Sequence, residues 1–171
     1  MTAPRIQLVR VLAALLAAAV LAGCGFQLRG SGGQYNMPFQ SVWLAFPETS
    51  PLGTELKRNL RAAGTVRVEE DASKAQALFD VLGESRGKSI LSLNSLGRVR
   101  EYSLSYTLVF RVRDANNREL LAPTEITLRR NIAFDESQVL AKESEEVLLY
   151  RDMQADLVQQ ILRRLAAIKP V

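Results

Sequence analysis

The 171-residue sequence is 47% hydrophobic and 23% charged, which excludes a disordered or fibrous chain and fits one globular domain. It contains no histidine and one cysteine, so histidine-based triads, histidine-bearing zinc sites and an intrachain disulfide are excluded. The formal charge of +4 falls to +2 once residues 1–23, which carry Arg5 and Arg10 and no acid, are set aside; so small a charge gives no general field for polyanions, and nucleic acid is not an expected partner.

Arg5 and Arg10 precede an uninterrupted apolar run from Val11 to Gly23. At 13 residues it falls short of the roughly 18 needed to span a bilayer, and the pattern predicts a secretory signal peptide over residues 1–23. Leu21-Ala22-Gly23-Cys24 ends the run and resembles the bacterial lipobox, which implies cleavage before Cys24 and lipid on its thiol. Several acyl chains hold a protein stably at a membrane where one does not, so no spanning helix is needed. Gly25, where lipoproteins retained in the inner membrane usually have Asp, implies an outer-membrane destination facing the periplasm. Apart from this covalent lipid no cofactor or metal is expected.

RGSGGQYNMP, residues 29–38, reads as a flexible tether, giving an expected lipidated segment over 24–40 and a single domain over 41–171. SVWLAF from Ser41 suits a buried strand. Ser50 as N-cap, Pro51 at the first helical position, Leu52, Leu56, Leu60 and Ala63 on one face and Gly64 as the stop predict a helix. Val66 and Val68 begin a further extended piece, and Ala77 to Leu93 is strand-like with a bulge or turn around Gly83 to Lys88. In REYSLSYTLVFRV the even positions Tyr102 to Val112 are apolar and polar residues alternate with them, the period-two mark of a strand with one buried face. DANNR, Asp114 to Arg118, makes a turn into a second long strand with Ile126, Leu128, Ile132 and Phe134 inward. From Ser137 to Ile168, Leu140, Val147, Tyr150, Leu157, Ile161, Leu165 and Ile168 recur near helical spacing. The order predicts an α+β two-layer sandwich, with two helices on one face of a mostly antiparallel four-stranded sheet.

CGFQLRG after the lipobox, EYSLSYTLVFRV in the centre and VLAKESEEVLLYRDMQADLVQQILRRL near the end together resemble the LptE family of lipopolysaccharide-assembly lipoproteins, over nearly all of residues 24–169. The resemblance implies a non-enzymatic subunit that plugs and helps assemble the outer-membrane β-barrel LptD and contacts lipopolysaccharide during delivery to the cell surface. A family basic residue that meets lipid A phosphates matches Lys142. The other falls nearest Ser95 here and does not match, with Arg98 and Arg100 close enough to substitute.

Geometry points to the same residues. Centring the turn on Asn116 pairs residues whose numbers sum to about 232, which sets Arg98 opposite Phe134 and Arg100 opposite Ile132 and gathers Arg98, Arg100 and Lys142 at the sheet end remote from DANNR. Such a cluster suits a bisphosphorylated lipid. Purely structural roles stand beside it: Lys142 can pair with Glu146 at i+4, and the arginines can serve as solubility charges on an edge strand. A stand-alone periplasmic lipid-binding or transport-auxiliary lipoprotein, with no barrel partner, is the competing reading.

Two enzyme motifs fail on inspection. GESRGKS, residues 83–89, has three residues between its glycines where a phosphate loop has four, and no helix opening follows it. Ser85 and Lys88 have Ser-x-x-Lys spacing but sit in a glycine-containing bend without companion motifs.

Overall fold

The computed structural model describes residues 35–169; the signal segment, Cys24 and the first part of the tether lie outside the described residues. Five strands are present: β1 (Ser41–Ala45), β2 (Arg67–Glu69), β3 (Ala77–Leu93), β4 (Val99–Asp114) and β5 (Glu119–Ala133). They form one sheet in the order β2-β1-β3-β4-β5. Two helices, α1 (Pro51–Ala63) and α2 (Val139–Ala166), pack on one face of it. The α+β two-layer expectation holds with one strand more than the four expected. Arg67–Glu69 returns from α1 to lie parallel to β1, with Val42 opposite Val68, and β1 is also parallel to the start of β3. The three long strands are antiparallel.

Local chemistry accounts for the punctuation. The Ser50 hydroxyl accepts the Gly53 N–H at 3.1 Å, capping the first turn of α1, and Pro51 opens the helix where no donor is missed. Gly64 ends it at φ 66°, a conformation that costs a residue with a Cβ. The β3–β4 and β4–β5 turns share one design. Asn94 and Asp114 each accept two backbone N–H groups from the residues two and four further on, and Gly97 and Asn117 take the positive φ that closes the turn.

The core lies between the helices and the inner face of the sheet. Leu52, Leu56 and Leu60 of α1 and Met153, Leu157, Ile161 and Leu165 of α2 are buried against Val42, Phe79 and the even positions Leu104 to Val112 of β4. Phe46, Phe79 and Phe110 stack in a row, with centroids 5.6 and 4.7 Å apart. Packing extends in front of β1, since Phe39 is buried and Tyr35 and Met37 lie against the core.

Two departures from the expected register matter for the site. Near the turn Arg113 faces Glu119, as the sum of 232 requires, but shifts on either side of Val112 move the remaining pairs, so Tyr102 faces Ile132 and the sum becomes 234. The Phe134 N–H accordingly donates to the Arg100 carbonyl at 2.8 Å, so Arg100, not Arg98, neighbours Phe134. In β3 a bulge at Leu82 separates Val81, opposite Phe110, from Gly83, opposite Val109. Odd residues of β3 face the helices before it and even residues after it, and the strand continues unbroken through residues 83–88.

Candidate functional site

The end of the sheet remote from Asp114–Arg118 brings together the Asn94–Arg98 turn, the start of β4 and the entry to α2. Asp135 accepts the backbone N–H and hydroxyl of Ser137 at 2.9 and 2.7 Å, starting a single 3-10 turn over Glu136–Gln138 that leads into α2. Those bonds, and more weakly the Lys142 charge, hold the Asp135 carboxyl below the usual carboxylate range.

Three expected cations sit in this region. Arg98 Nη1 lies 2.9 Å from Glu136 Oε2, and Lys142 Nζ lies 2.8 Å from Glu145 Oε2. Arg100 is exposed and, among the described residues, makes no ion pair. The i+4 partner expected for Lys142 is engaged elsewhere: Glu146 holds Lys88 of β3 at 2.6 Å, leaving Lys142 to pair at i+3.

Apolar exposure is concentrated here too. Of the nine exposed large hydrophobics among the described residues, Leu82 lies at the bulge toward the other end and the rest fall on Ile90–Leu96 or Val139–Leu148, with Leu96 at 77% and Leu140 at 80% the most open. Leu140 and Val147 were expected in the helix's buried stripe. The stripe buries side chains fully only from Met153 onward, because the first turns of α2 rest on a polar seam instead of on the core.

That seam was not read from the sequence. Beyond the Leu82 bulge, Glu84, Arg86 and Lys88 face α2. The Arg86 guanidinium lies 4.5 Å from the Tyr106 ring centroid and 5.4 Å from that of Tyr150, and donates to Gln154 at 3.1 Å. Lys88 Nζ lies 4.4 Å from the Tyr102 centroid. The Tyr150 hydroxyl donates to the Gly87 carbonyl at 2.7 Å, and the Tyr106 hydroxyl to Glu84 at 2.6 Å. Burial, then the Glu84 contact, pushes the Tyr106 phenol up to about 12. Period-two alternation continued past the bulge was the available signal. The expected bulge or turn over Gly83 to Lys88 masks that signal, and a single inserted residue at Leu82 restores it.

Among the described residues no helix is long and apolar enough to cross a membrane. The fold and its tip define a two-layer α+β domain of a kind found in solved bacterial lipoproteins. It is similar to lipoprotein B of Nitrosomonas europaea (41% identity, TM-score 0.71, covering 84% of this chain and 91% of that one). It is also similar to rare lipoprotein B of Shewanella oneidensis (29% identity, TM-score 0.64, covering 75% and 95%). The LptE family, described as lipopolysaccharide-assembly, matches residues 39–165, and the chain belongs to that family. The LPS-assembly lipoprotein LptE of Pectobacterium atrosepticum is 28% identical over 156 residues, covering 90% of this chain and 82% of that protein.

Proposed function

We propose that the protein is a lipid-anchored, non-catalytic outer-membrane subunit of lipopolysaccharide export, which binds the β-barrel LptD and meets lipopolysaccharide at the tip formed by the Asn94–Arg98 turn and the start of α2. The observation that carries this reading is the meeting of exposed Arg98 and Arg100 and half-buried Lys142 with exposed large apolar side chains toward that end. Lipid A presents phosphates beside acyl chains and needs both kinds of partner.

The Arg98–Glu136 pair is exposed and the Lys142–Glu145 pair partly so, and surface pairs contribute about 0.2–1 kcal/mol. A phosphate that forms charge-assisted hydrogen bonds to Lys142, Arg98 and Arg100, at roughly 1.5–3 kcal/mol each, outcompetes Glu145 and Glu136. Cys24 supplies the anchor through its lipid, on the periplasmic side of the outer membrane. The family assignment supports the setting of lipopolysaccharide assembly, and the LptD contact is carried over as what the resemblance implies.

The test is lipopolysaccharide binding by Lys142→Glu in the full lipoprotein, beside recovery of LptD from detergent-solubilised membranes. The reading expects weakened lipopolysaccharide binding with LptD recovered at the wild-type ratio. Unchanged lipopolysaccharide binding sinks the tip assignment. Recovery of the lipoprotein without any barrel favours the stand-alone lipid-binding reading, and the intact mass of the mature protein tests Cys24.

A further inference from the structure

The polar seam beneath the start of α2 carries more cation than its acids match. Lys88 meets Glu146 at 2.6 Å, and Lys142, four residues before Glu146, lies on the same flank of the helix. Glu146 thus stands between two lysines, one from the sheet and one from its own helix. Arg86, two residues back along β3, has no carboxylate partner among the described residues: its guanidinium donates to the Tyr106 hydroxyl at 3.2 Å and to Gln154 at 3.1 Å. Glu84, the acid next to it on that side of the strand, is engaged by the Tyr106 hydroxyl at 2.6 Å.

One flank of the seam is open. β1 ends at Ala45, opposite Asp80, so beyond Val81 the strand β3 has a neighbouring strand only in β4. α1 joins the parallel strands β1 and β2, so it starts at Pro51, beside Gln154, and runs back toward the base. The earlier turns of α2 are therefore left uncovered on that side, and a slot runs between them and the free edge of β3. Arg86 and Lys88 are exposed along it, and Ile90, on the same side of the strand, is 58% exposed although it faces the helix layer. Cationic and apolar side chains adjoin in this slot, and it opens toward the tip.

Holding α2 down does not by itself call for this chemistry, since an apolar pair in place of Lys88 and Glu146 would do so at least as well by extending the core. A carboxylate placed between two lysines occupies the position that a phosphate would take. A phosphate brings up to two charges and three acceptor oxygens to that position, and Arg86 has donors to spare for them. With the lysine side chain 38% and the glutamate side chain 23% exposed, the pair is within reach of a ligand entering from the slot.

We propose that Arg86 and Lys88 form a second anion site for a phosphorylated ligand, continuous with the tip, and that Glu146 holds it closed until a phosphate takes its place. The inference rests on the lipid contact argued under Proposed function and extends it along β3.

The experiment measures binding of purified lipopolysaccharide and of inorganic pyrophosphate by the full-length lipoprotein and by Lys88→Gln, Arg86→Gln and Glu146→Gln, with thermal melting of each. The two halves of one ion pair should move binding in opposite directions. Glu146→Gln should tighten lipopolysaccharide about three- to tenfold, and Lys88→Gln and Arg86→Gln should weaken it by a similar factor. A pair that only fastens the helix predicts otherwise: Lys88→Gln and Glu146→Gln then loosen α2 alike and shift binding in the same direction or not at all, which overturns the proposal. Should Arg86→Gln fail to melt cooperatively, the Lys88 and Glu146 variants decide. The same opposite shifts with pyrophosphate as well support a phosphate site, whereas shifts with pyrophosphate alone give it to free phosphate and overturn its link to the lipid. If Lys142→Glu weakens lipopolysaccharide binding while the three seam variants leave it unchanged, the tip reading stands and this site falls. If the unmodified protein binds no lipopolysaccharide, both fall.

Discussion

Lys88 of β3 and Glu146 of α2 are joined at 2.6 Å, with the lysine nitrogen 4.4 Å above the Tyr102 ring, and this pair fastens the first turns of α2 to the sheet where the apolar core does not reach. The hydrogen bond to Glu146 raises the Lys88 pKa against its desolvation, so the tie is fully present at neutral pH and is lost only as pH climbs above the ordinary lysine range. Replacing Glu146 with Gln should therefore speed amide exchange over residues 139–150 several-fold while Met153 to Leu165 stays protected. The cost in global stability should be about 1 kcal/mol or less, since Lys88 is partly exposed.

Tyr106 sets an alkaline limit. Its side chain is fully buried, and burial pushes its pKa to about 12, above the roughly 10 of the unfolded chain. The unfolded state thus loses its proton first, and stability falls as pH rises from about 10 to 12, by roughly 2 kcal/mol. Urea midpoints measured across that window should show the fall in the wild type and a flatter profile in Tyr106→Phe.

Asp80 sets the acid limb. Burial raises its carboxyl, but hydrogen bonds from Arg113 at 2.7 Å and Arg111 at 3.0 Å outweigh that and hold it below the usual carboxylate range. Its contribution is present above the unfolded value near 3.9 and is lost as pH falls through the depressed folded value. Asp80→Asn should be less stable than the wild type at pH 7 and converge with it in strong acid, as read from denaturant midpoints.

Gly53 lies where α1 crosses Phe46. A Cβ built there would be 2.5 Å from the Phe46 Cβ, which sits on the strand exit and has little room to retreat. Gly53→Ala should cost about 1–3 kcal/mol through overpacking, despite alanine's better helix propensity, and calorimetry would detect it as a lowered melting temperature.

Leu140 carries the opposite expectation. At 80% exposure it contributes little to packing among the described residues, so Leu140→Ser should leave stability within about 0.5 kcal/mol of the wild type. Binding of lipopolysaccharide micelles should nevertheless weaken, and unaltered binding would remove the apolar half of the tip assignment.

Sequence pattern carried much of this fold because strong local signals coincide with tertiary roles. Ser50, Pro51 and Gly64 bound α1 as read, and the alternation from Tyr102 to Val112 marks the buried face of β4. What escaped was positional. One residue of extra length on either side of Val112 moved the pairing of Arg98 and Arg100 by two, because register depends on bulges that leave no trace in hydrophobic period. The three residues of β2 were too few to display any period, so the strand count fell one short. At α2 the helical spacing of Leu140 and Val147 was real, but periodicity reports an apolar stripe without saying whether the domain itself or another molecule covers it.

The bulge at Leu82 has a consequence for how this chain can vary. It acts as a phase inversion: upstream, β3 gives Phe79 to the core, and downstream the same strand gives Arg86 and Lys88 to α2 and serines to the opposite side. Deleting Leu82 would close the ladder, because Val81 and Gly83 already stand opposite the adjacent residues Phe110 and Val109, and Arg86 and Lys88 would keep their places beneath α2. The strand is one residue longer here than its partner requires, so loss of a residue is tolerated at this point, whereas a deletion at Glu84 or Ser85 would turn the distal half over.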